Sequence, residues 1–429
     1  MEGPPLNSAR PWRWIPTLYF GEGVPYVVVM TLAVVMYKNL GISNTDIALY
    51  TSWLYLPWVI KPLWSPLVDL FRTKRLWIVS LQFVLGAALA LVALTLPAPA
   101  FFRLTLAVFW LMAFSSATHD IAADGFYLLG MPAHQQAAFV GVRSTCYRLA
   151  MIAGQGGLVY LAGSLQESTG SVVRAWVLIF WLLAGFFVLL AFYHAAALPR
   201  PAADRATVRT DNPLRGFVEV FAAFFRKPGI GVTLAYLLLY RLAEAQALKL
   251  ITPFLLDRRE VGGLGLTTKE VGIVYGTVGV IALTVGGILG GVAIARWGLK
   301  RLLWPMILAM HAPIAVFLAL ALLQPSNVAV VGGAIALEQF GYGFGFTAYM
   351  VYMMLVAEGE HKTAHYALCT GFMALGMMLP GMGAGWLQDR LGYVQFFGWV
   401  CLTTLPSFVM TALLKIDPAY GRKVAPAAG

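Results

Sequence analysis

Asp120 and Asp124 lie four residues apart in Ser115-Ser-Ala-Thr-His119-Asp120-Ile-Ala-Ala-Asp124, inside a long apolar segment. On a helix that spacing turns both carboxylates the same way. A lone ionised group at mid-bilayer costs roughly 2.5–3.5 kcal/mol on insertion scales, so these acids need counter-charges or a wet interior cavity. The nearest basic candidates are Lys61, two segments earlier, and Arg143 and Arg148 in the following segment. Five positions separate the two arginines, so they diverge by about 140° at 3.6 residues per turn. One arginine then neutralises the aspartates, and the other holds an anionic ligand. Arg148, nearer the midplane and next to Tyr147, is the expected ligand contact, with Lys61 as a second. A planar guanidinium suits a carboxylate or phosphate. The competing reading is an ion-pair network that only staples helices together, and it is strongest for Asp124 with Arg143.

Glu22, in Phe20-Gly21-Glu22-Gly23-Val-Pro25-Tyr26, sits where two glycines and a proline would loosen a helix. A carboxyl moved between wet and dry surroundings favours its protonated form when dry, which makes Glu22, Asp120 and Asp124 the candidate proton carriers. The alternative for Glu22 is a helix break with a buried hydrogen bond. His119 titrates near neutrality if exposed and is otherwise a satisfied core residue. The second half has its own charges: Arg241 and Glu244, spaced to pair, then Lys249, and Glu338 beside Gln339. A Lys249–Glu338 contact and a second ligand anchor built from Lys249, Glu338 and Gln339 are both open. His311 is more peripheral and is discounted.

The elements that carry these residues are apolar throughout. The chain is 60% hydrophobic and 11% charged with mean hydropathy +0.76, too little polar surface for a soluble protein. Helices of bilayer length are expected at 14–37, 47–68, 76–97, 103–129, 136–162, 174–197, 229–256, 268–295, 302–323, 327–356, 364–387 and 393–415. The first is too long for a signal-peptide core and is taken as a retained helix. Cys146, Cys369 and Cys401 lie in apolar segments, which suggests neither a disulfide framework nor a zinc cluster. The net charge of +11 is spread over loops rather than along a stripe, so no nucleic acid is expected. With both termini cytoplasmic, the basic loops fall mostly on the inner side.

Residues 199–227 read as a cytoplasmic linker between six-helix halves at 1–198 and 228–429. A weak repeat supports this division. Ser65-Pro-Leu-Val-Asp69-Leu-Phe-Arg72-Thr-Lys74-Arg75 follows the second helix, and Gly291-Val-Ala-Ile-Ala-Arg296-Trp-Gly298-Leu-Lys300-Arg301 follows the eighth. Parallel repeats with a site between them near the midplane describe the major facilitator architecture. Asp69, Arg72, Arg143, Arg241 and Glu244 are expected to act in conformational gating.

Several motifs in order resemble those of the AmpG-type muropeptide permeases, a family of the major facilitator superfamily. They are Gly23-Val-Pro25, Lys61-Pro-Leu-Trp64-Ser65-Pro66-Leu-Val-Asp69, Asp120-Ile-Ala-Ala-Asp124, Tyr147-Arg148-Leu-Ala-Met151, Tyr240-Arg241-Leu-Ala-Glu244 and Gly385-Trp386-Leu-Gln-Asp-Arg-Leu-Gly392. The resemblance implies an all-α membrane protein with twelve helices in two halves, acting as a proton-coupled importer in a bacterial inner membrane. The solute would be an anionic organic molecule such as an anhydro-muropeptide, within peptidoglycan recycling. A siderophore importer of the same superfamily and a non-transporting membrane receptor are the alternatives. Nothing resembles a nucleotide loop, a metal-ligand cluster or a nucleophile with its base, so an enzyme is not expected. The implied partners are the small-molecule solute and the lipid bilayer, with a monomer expected and the proton gradient in place of a cofactor.

Overall fold

Short polar side chains set where helices begin, by accepting hydrogen bonds from otherwise unpaired first-turn amides. Ser43 accepts from the Asp46 amide at 3.1 Å, Thr73 from Leu76 at 3.1 Å, Ser171 from Arg174 at 3.3 Å and Asn327 from Ala329 at 2.9 Å. Thr267 and Glu270 form a reciprocal capping box. The computed structural model describes residues 11–418 and 420, apart from 71, 132, 203, 205–212, 360 and 361, and among these the regular elements are all helical.

In chain order, α1 (Ile15–Val27), a π-helical stretch Val28–Leu32 and α2 (Ala33–Asn39) make one long apolar rod. Then come α3 (Asn44–Trp53), α4 (Leu56–Leu70), α5 (Lys74–Thr95) and α6 (Phe101–Gly130). Next, α7 (Ala133–Ile152) runs through a π-helical stretch, Ala153–Leu158, into α8 (Val159–Thr169), and α9 (Val172–Ala197) follows. After α10 (Pro213–Phe225) come α11 (Ile230–Leu239), α12 (Leu242–Leu256), α13 (Thr268–Val271), α14 (Val280–Trp297) and α15 (Leu299–His311). The last four are α16 (Ala315–Leu323), α17 (Val328–Ala357), α18 (Lys362–Leu402) and α19 (Leu405–Ala412).

Among the described residues eight helices are long and apolar enough to cross a membrane, or nine if Val218–Phe225 and Ile230–Leu256, bent by 92°, count as one span. Several expected helices are interrupted. The 47–68 segment breaks at Leu54–Tyr55, and 229–256 breaks at Tyr240–Arg241. Proline interrupts 302–323 at Ala312–Ile314. The turn expected between 387 and 393 is at Gly392, whose φ of 74° favours glycine. At the Tyr240 break the freed backbone is not left bare: Ser407 Oγ donates to the Leu239 and Tyr240 carbonyls at 3.1 and 2.9 Å, and the Tyr349 hydroxyl donates to the Leu237 carbonyl at 2.6 Å. Broken helices persist at membrane depth only where such partners exist.

The chain folds as two compact units. One comprises Met1–Leu40 with Ile60–Asp211, the other Gly41–Val59 with Asn212–Gly429. The boundary after Asp211 falls within the expected linker, which also contains α10. The segment Gly41–Val59, from the expected N-terminal half, packs with the second unit.

In the first unit Trp14, Ile15, Leu18, Ile78, Ala122, Ala123 and Phe126 form a buried core around α1 and α6. A buried polar chain joins four helices beside it: Gln82 Nε2 lies 3.1 Å from His119 Nε2, Gln82 Oε1 3.0 Å from His194 Nδ1, and His194 Nε2 3.0 Å from Thr17 Oγ1. His119 is thus a satisfied core residue. Its anchorage fixes the rotation of α6, and so the face that carries Asp120 and Asp124.

In the second unit small residues bring backbones together, since lipid supplies no hydrophobic drive for helix association. A Cβ on Gly286 would lie 2.2 Å from the Phe340 carbonyl oxygen, and one on Gly343 2.0 Å from that of Leu283, so α14 and α17 touch backbone to backbone. Segment α3 lies equally close to α18, where a Cβ on Gly385 would meet the Asn44 carbonyl at 2.0 Å. Asn44 Nδ2 donates to Gln388 at 2.7 Å, and Thr45 to Asp389 at 2.5 Å.

Candidate functional site

Four helices of the first unit converge on one group of charges. Glu22 comes from α1, Lys61 from α4, Asp120 and Asp124 from α6, and Arg143 from α7. Helix α1 stays regular through Gly21, Glu22 and Gly23, and the wider π-helical turn starts only at Val28, beyond Pro25. The glycines therefore do not loosen the helix at Glu22 as the sequence suggests. Gly23 instead lets α1 sit against α7, because a Cβ there would lie 2.8 Å from the Ala150 Cβ and 3.2 Å from the Tyr147 carbonyl.

Lys61 Nζ donates to Asp120 Oδ2, and Arg143 Nη2 lies 2.5 Å from Asp124 Oδ1. Lys61, expected as an anion contact, is thus held by an acid. Trp64 Nε1 donates to Thr118 Oγ1 at 3.3 Å and pins α4 to α6 beside that pair. The Arg143 guanidinium stands 4.4 Å from the Tyr19 ring centroid and 5.5 Å from that of Tyr127, and the Tyr19 hydroxyl donates to Asp124 Oδ1 at 3.4 Å.

Oxygens of Glu22, Asp120 and Asp124 all lie within 4.8 Å of one another. They are donors of the type a hard cation takes, but Asp120 and Asp124 each already hold a basic side chain. Three carboxyl groups thus meet two paired cations, and among these five residues Glu22 is the one left over. It is 6% exposed, and its Oε2 is buried without a partner. The other four side chains remain open, at 26% for Lys61, 22% for Asp120, 31% for Arg143 and 40% for Asp124. Arg148 and Tyr147 are half-buried on α7.

The second unit places its charges differently. Arg241 grips Glu244 through Nε and Nη2 at 2.8 and 2.5 Å, donates to the Tyr342 hydroxyl at 2.8 Å and stands 4.8 Å from the Phe346 ring centroid, with both partners buried. Lys249 Nζ donates to Thr51 Oγ1 at 3.0 Å, and Glu338 accepts from Gln339 Nε2 at 2.8 Å; Lys249 and Glu338 do not pair. Arg72 is exposed with a left-handed φ of 65°, and the Asp69 side chain lies outside the described residues.

Sequence reasoning missed the aromatic cage around Arg143. Its signal was spacing: Tyr19 is three residues before Glu22 and Tyr127 three after Asp124, so each shares a helix face with its acid. Thr51 was also missed, and nothing in the sequence marks it, since its partner Lys249 is 198 residues away.

Long apolar helices, close-packed glycines and an open cluster of opposite charges carried on those helices are the features of a multi-pass membrane transporter. The chain belongs to the Major Facilitator Superfamily, whose family model matches residues 17–379. It is similar to the Anhydromuropeptide permease of Escherichia coli, with 27% identity over 377 residues, 85% of this chain and 72% of that protein. Among solved structures it resembles a mutant of the nucleoside transporter NupG, with TM-score 0.72 and 15% identity over 94% of this chain and 99% of that one. It also resembles the D-xylose-proton symporter, with TM-score 0.71 and 12% identity over 96% and 99%. At those identities the structural likeness establishes the fold.

Proposed function

We propose that this transporter is a proton-coupled importer of an anionic organic solute, an anhydro-muropeptide above others, working as a monomer in a bacterial inner membrane with both termini in the cytoplasm. The solute is suggested by the name of the Escherichia coli relative. The observation that carries the coupling is Lys61 held on Asp120 in a partly open site, beside a Glu22 whose Oε2 is buried without a partner.

A proton taken up by Asp120 cancels the charge that holds the Lys61 ammonium. Lys61 is then free to turn to an anionic group of the solute, with Arg148 as the second contact. Proton and anion enter together, so the occupied site is closer to neutral than either half-loaded state, which eases its passage through a dry intermediate. On the inner side the solute leaves, Asp120 loses its proton and Lys61 returns. Arg143, fixed by Asp124 and the two tyrosine rings, keeps α7 in register with α6 through the cycle.

Proteoliposomes with an imposed inward proton gradient test this reading. Labelled anhydro-muropeptide is expected to accumulate above equilibrium and to leak back when a protonophore is added. Accumulation that ignores the gradient would remove proton coupling. An iron chelate accumulated in its place would keep transport and replace the solute.

A further inference from the structure

The second unit holds a lysine whose charge no acid in the described residues neutralises. Lys249 lies on α12 and is 4% exposed. Its Nζ donates to Thr51 Oγ1 at 3.0 Å and stands 5.0 Å from the Tyr55 ring centroid. The Thr51 hydrogen itself goes to the Ile47 carbonyl at 2.6 Å, which leaves the oxygen as a plain acceptor. An ammonium has three N–H donors, and one hydroxyl takes one of them.

Three acids of the same unit have other partners. Glu244 holds Arg241, Asp257 accepts from Asn44 and Tyr393, and Glu338 has Gln339. Beside the lysine is a second unsatisfied group: the Ser52 hydroxyl is fully buried and has no partner. A Cβ on Gly381 would lie 2.8 Å from Ser52 Oγ and 3.4 Å from Lys249 Cγ, so both side chains border the same bare glycine of α18.

A buried ammonium without a counter-ion is unfavourable, and packing alone would be served as well by an apolar chain of the same length. We propose that Lys249, with Ser52 as a second donor, is an anion anchor that takes a carboxylate or phosphate oxygen of the transported solute. The anchor rests on the reading of the chain as an importer of an anionic solute, and it gives the second unit a ligand contact of its own. A compact ammonium beside a small hydroxyl suits a single oxygen rather than a planar two-oxygen grip.

The test melts the purified full-length carrier in nanodiscs with rising acetate, inorganic phosphate or anhydro-muropeptide, at constant ionic strength. Wild type is expected to gain thermal stability with at least one of the three. Lys249→Met is expected to melt above wild type without added anion, because it removes an uncompensated charge. It should also need about thirty-fold more anion for half its effect. Lys249→Gln, which keeps hydrogen-bond donors without the charge, should show the same loss of anion response and serves if the methionine variant does not accumulate. Variants that both melt below wild type, or that keep its half-saturating anion concentration, overturn the anchor. So does a wild type that responds to none of the three. A response to acetate or phosphate without one to anhydro-muropeptide keeps the anchor and removes the muropeptide from the proposed function.

Discussion

Arg143 and Asp124 meet at 2.5 Å, yet their side chains stay 31% and 40% exposed. A pair whose open face meets water contributes only about 0–1 kcal/mol to stability, so a part in the transport cycle predicts little effect on folding. Asp124→Asn is expected to leave the melting temperature within a few degrees of wild type, on the scale of about 1 kcal/mol, while gradient-driven uptake falls at least about ten-fold. A large loss of folded protein with uptake per molecule unchanged would instead make the pair a staple.

Replacing Asp120 by Asn imitates its protonated state. Lys61 is then permanently released. Exchange of labelled for unlabelled solute across the membrane is expected to persist, whereas uphill accumulation disappears. Lys61→Met should lose both. Counterflow assays in proteoliposomes separate the two outcomes.

External pH acts on the same step, and its sign follows from which species loads. A rise in pH strips the proton from the carboxyl group, keeps Lys61 on Asp120 and reduces loading, so uptake is expected to fall as the outside becomes alkaline. Asp120→Asn, which has no proton to give up, should keep its exchange rate level across that range while the fold is retained. Initial uptake rates measured across a pH series at fixed membrane potential read this directly.

Arg241 and Glu244 contrast with the open pairs because both are buried. Arg241→Met alone leaves Glu244 without its partner and is expected to destabilise by about 3–5 kcal/mol. The double replacement Arg241→Met with Glu244→Leu should recover most of that loss. Thermal unfolding of the single and double variants gives the comparison.

Backbone contact between α14 and α17 makes Gly343→Ala severe, since its methyl would fall 2.0 Å from the Leu283 carbonyl oxygen. Gly333 on the same helix has nothing within 4 Å of its would-be Cβ. There alanine is expected to be neutral or to stabilise by up to about 1 kcal/mol. Yields of folded protein for the two variants should diverge accordingly.

The sequence made much of this legible where a local rule applies. Four-residue spacing placed Asp120 and Asp124 on one face, three-residue spacing paired Arg241 with Glu244, and apolar runs located most of the long helices. What escaped it depends on distant parts of the chain. The break at Tyr240 is stable because Ser407 covers its carbonyls, and the packing of Gly41–Val59 with the second unit follows from Gly385 meeting Asn44. Lys61 read as an anion contact because the match of its helix to Asp120 is set by tertiary contacts such as Trp64 with Thr118.

A carboxamide has one oxygen and one nitrogen, so the Gln82 bridge has a direction. Its nitrogen donates to His119 Nε2 and its oxygen accepts from His194 Nδ1. With the hydrogen of neutral His194 on Nδ1, its Nε2 takes the Thr17 hydroxyl hydrogen at 3.0 Å; with it on Nε2, the Thr17 oxygen accepts and the hydroxyl donates to the Trp14 carbonyl at 3.2 Å. Turning the amide around therefore requires both rings to move their hydrogen to Nε2, so the amide and the two tautomers switch together. The four helices are thus joined by a bridge that satisfies each member in either sense, whereas glutamate in place of Gln82 would accept from both rings and bring an uncompensated charge among them.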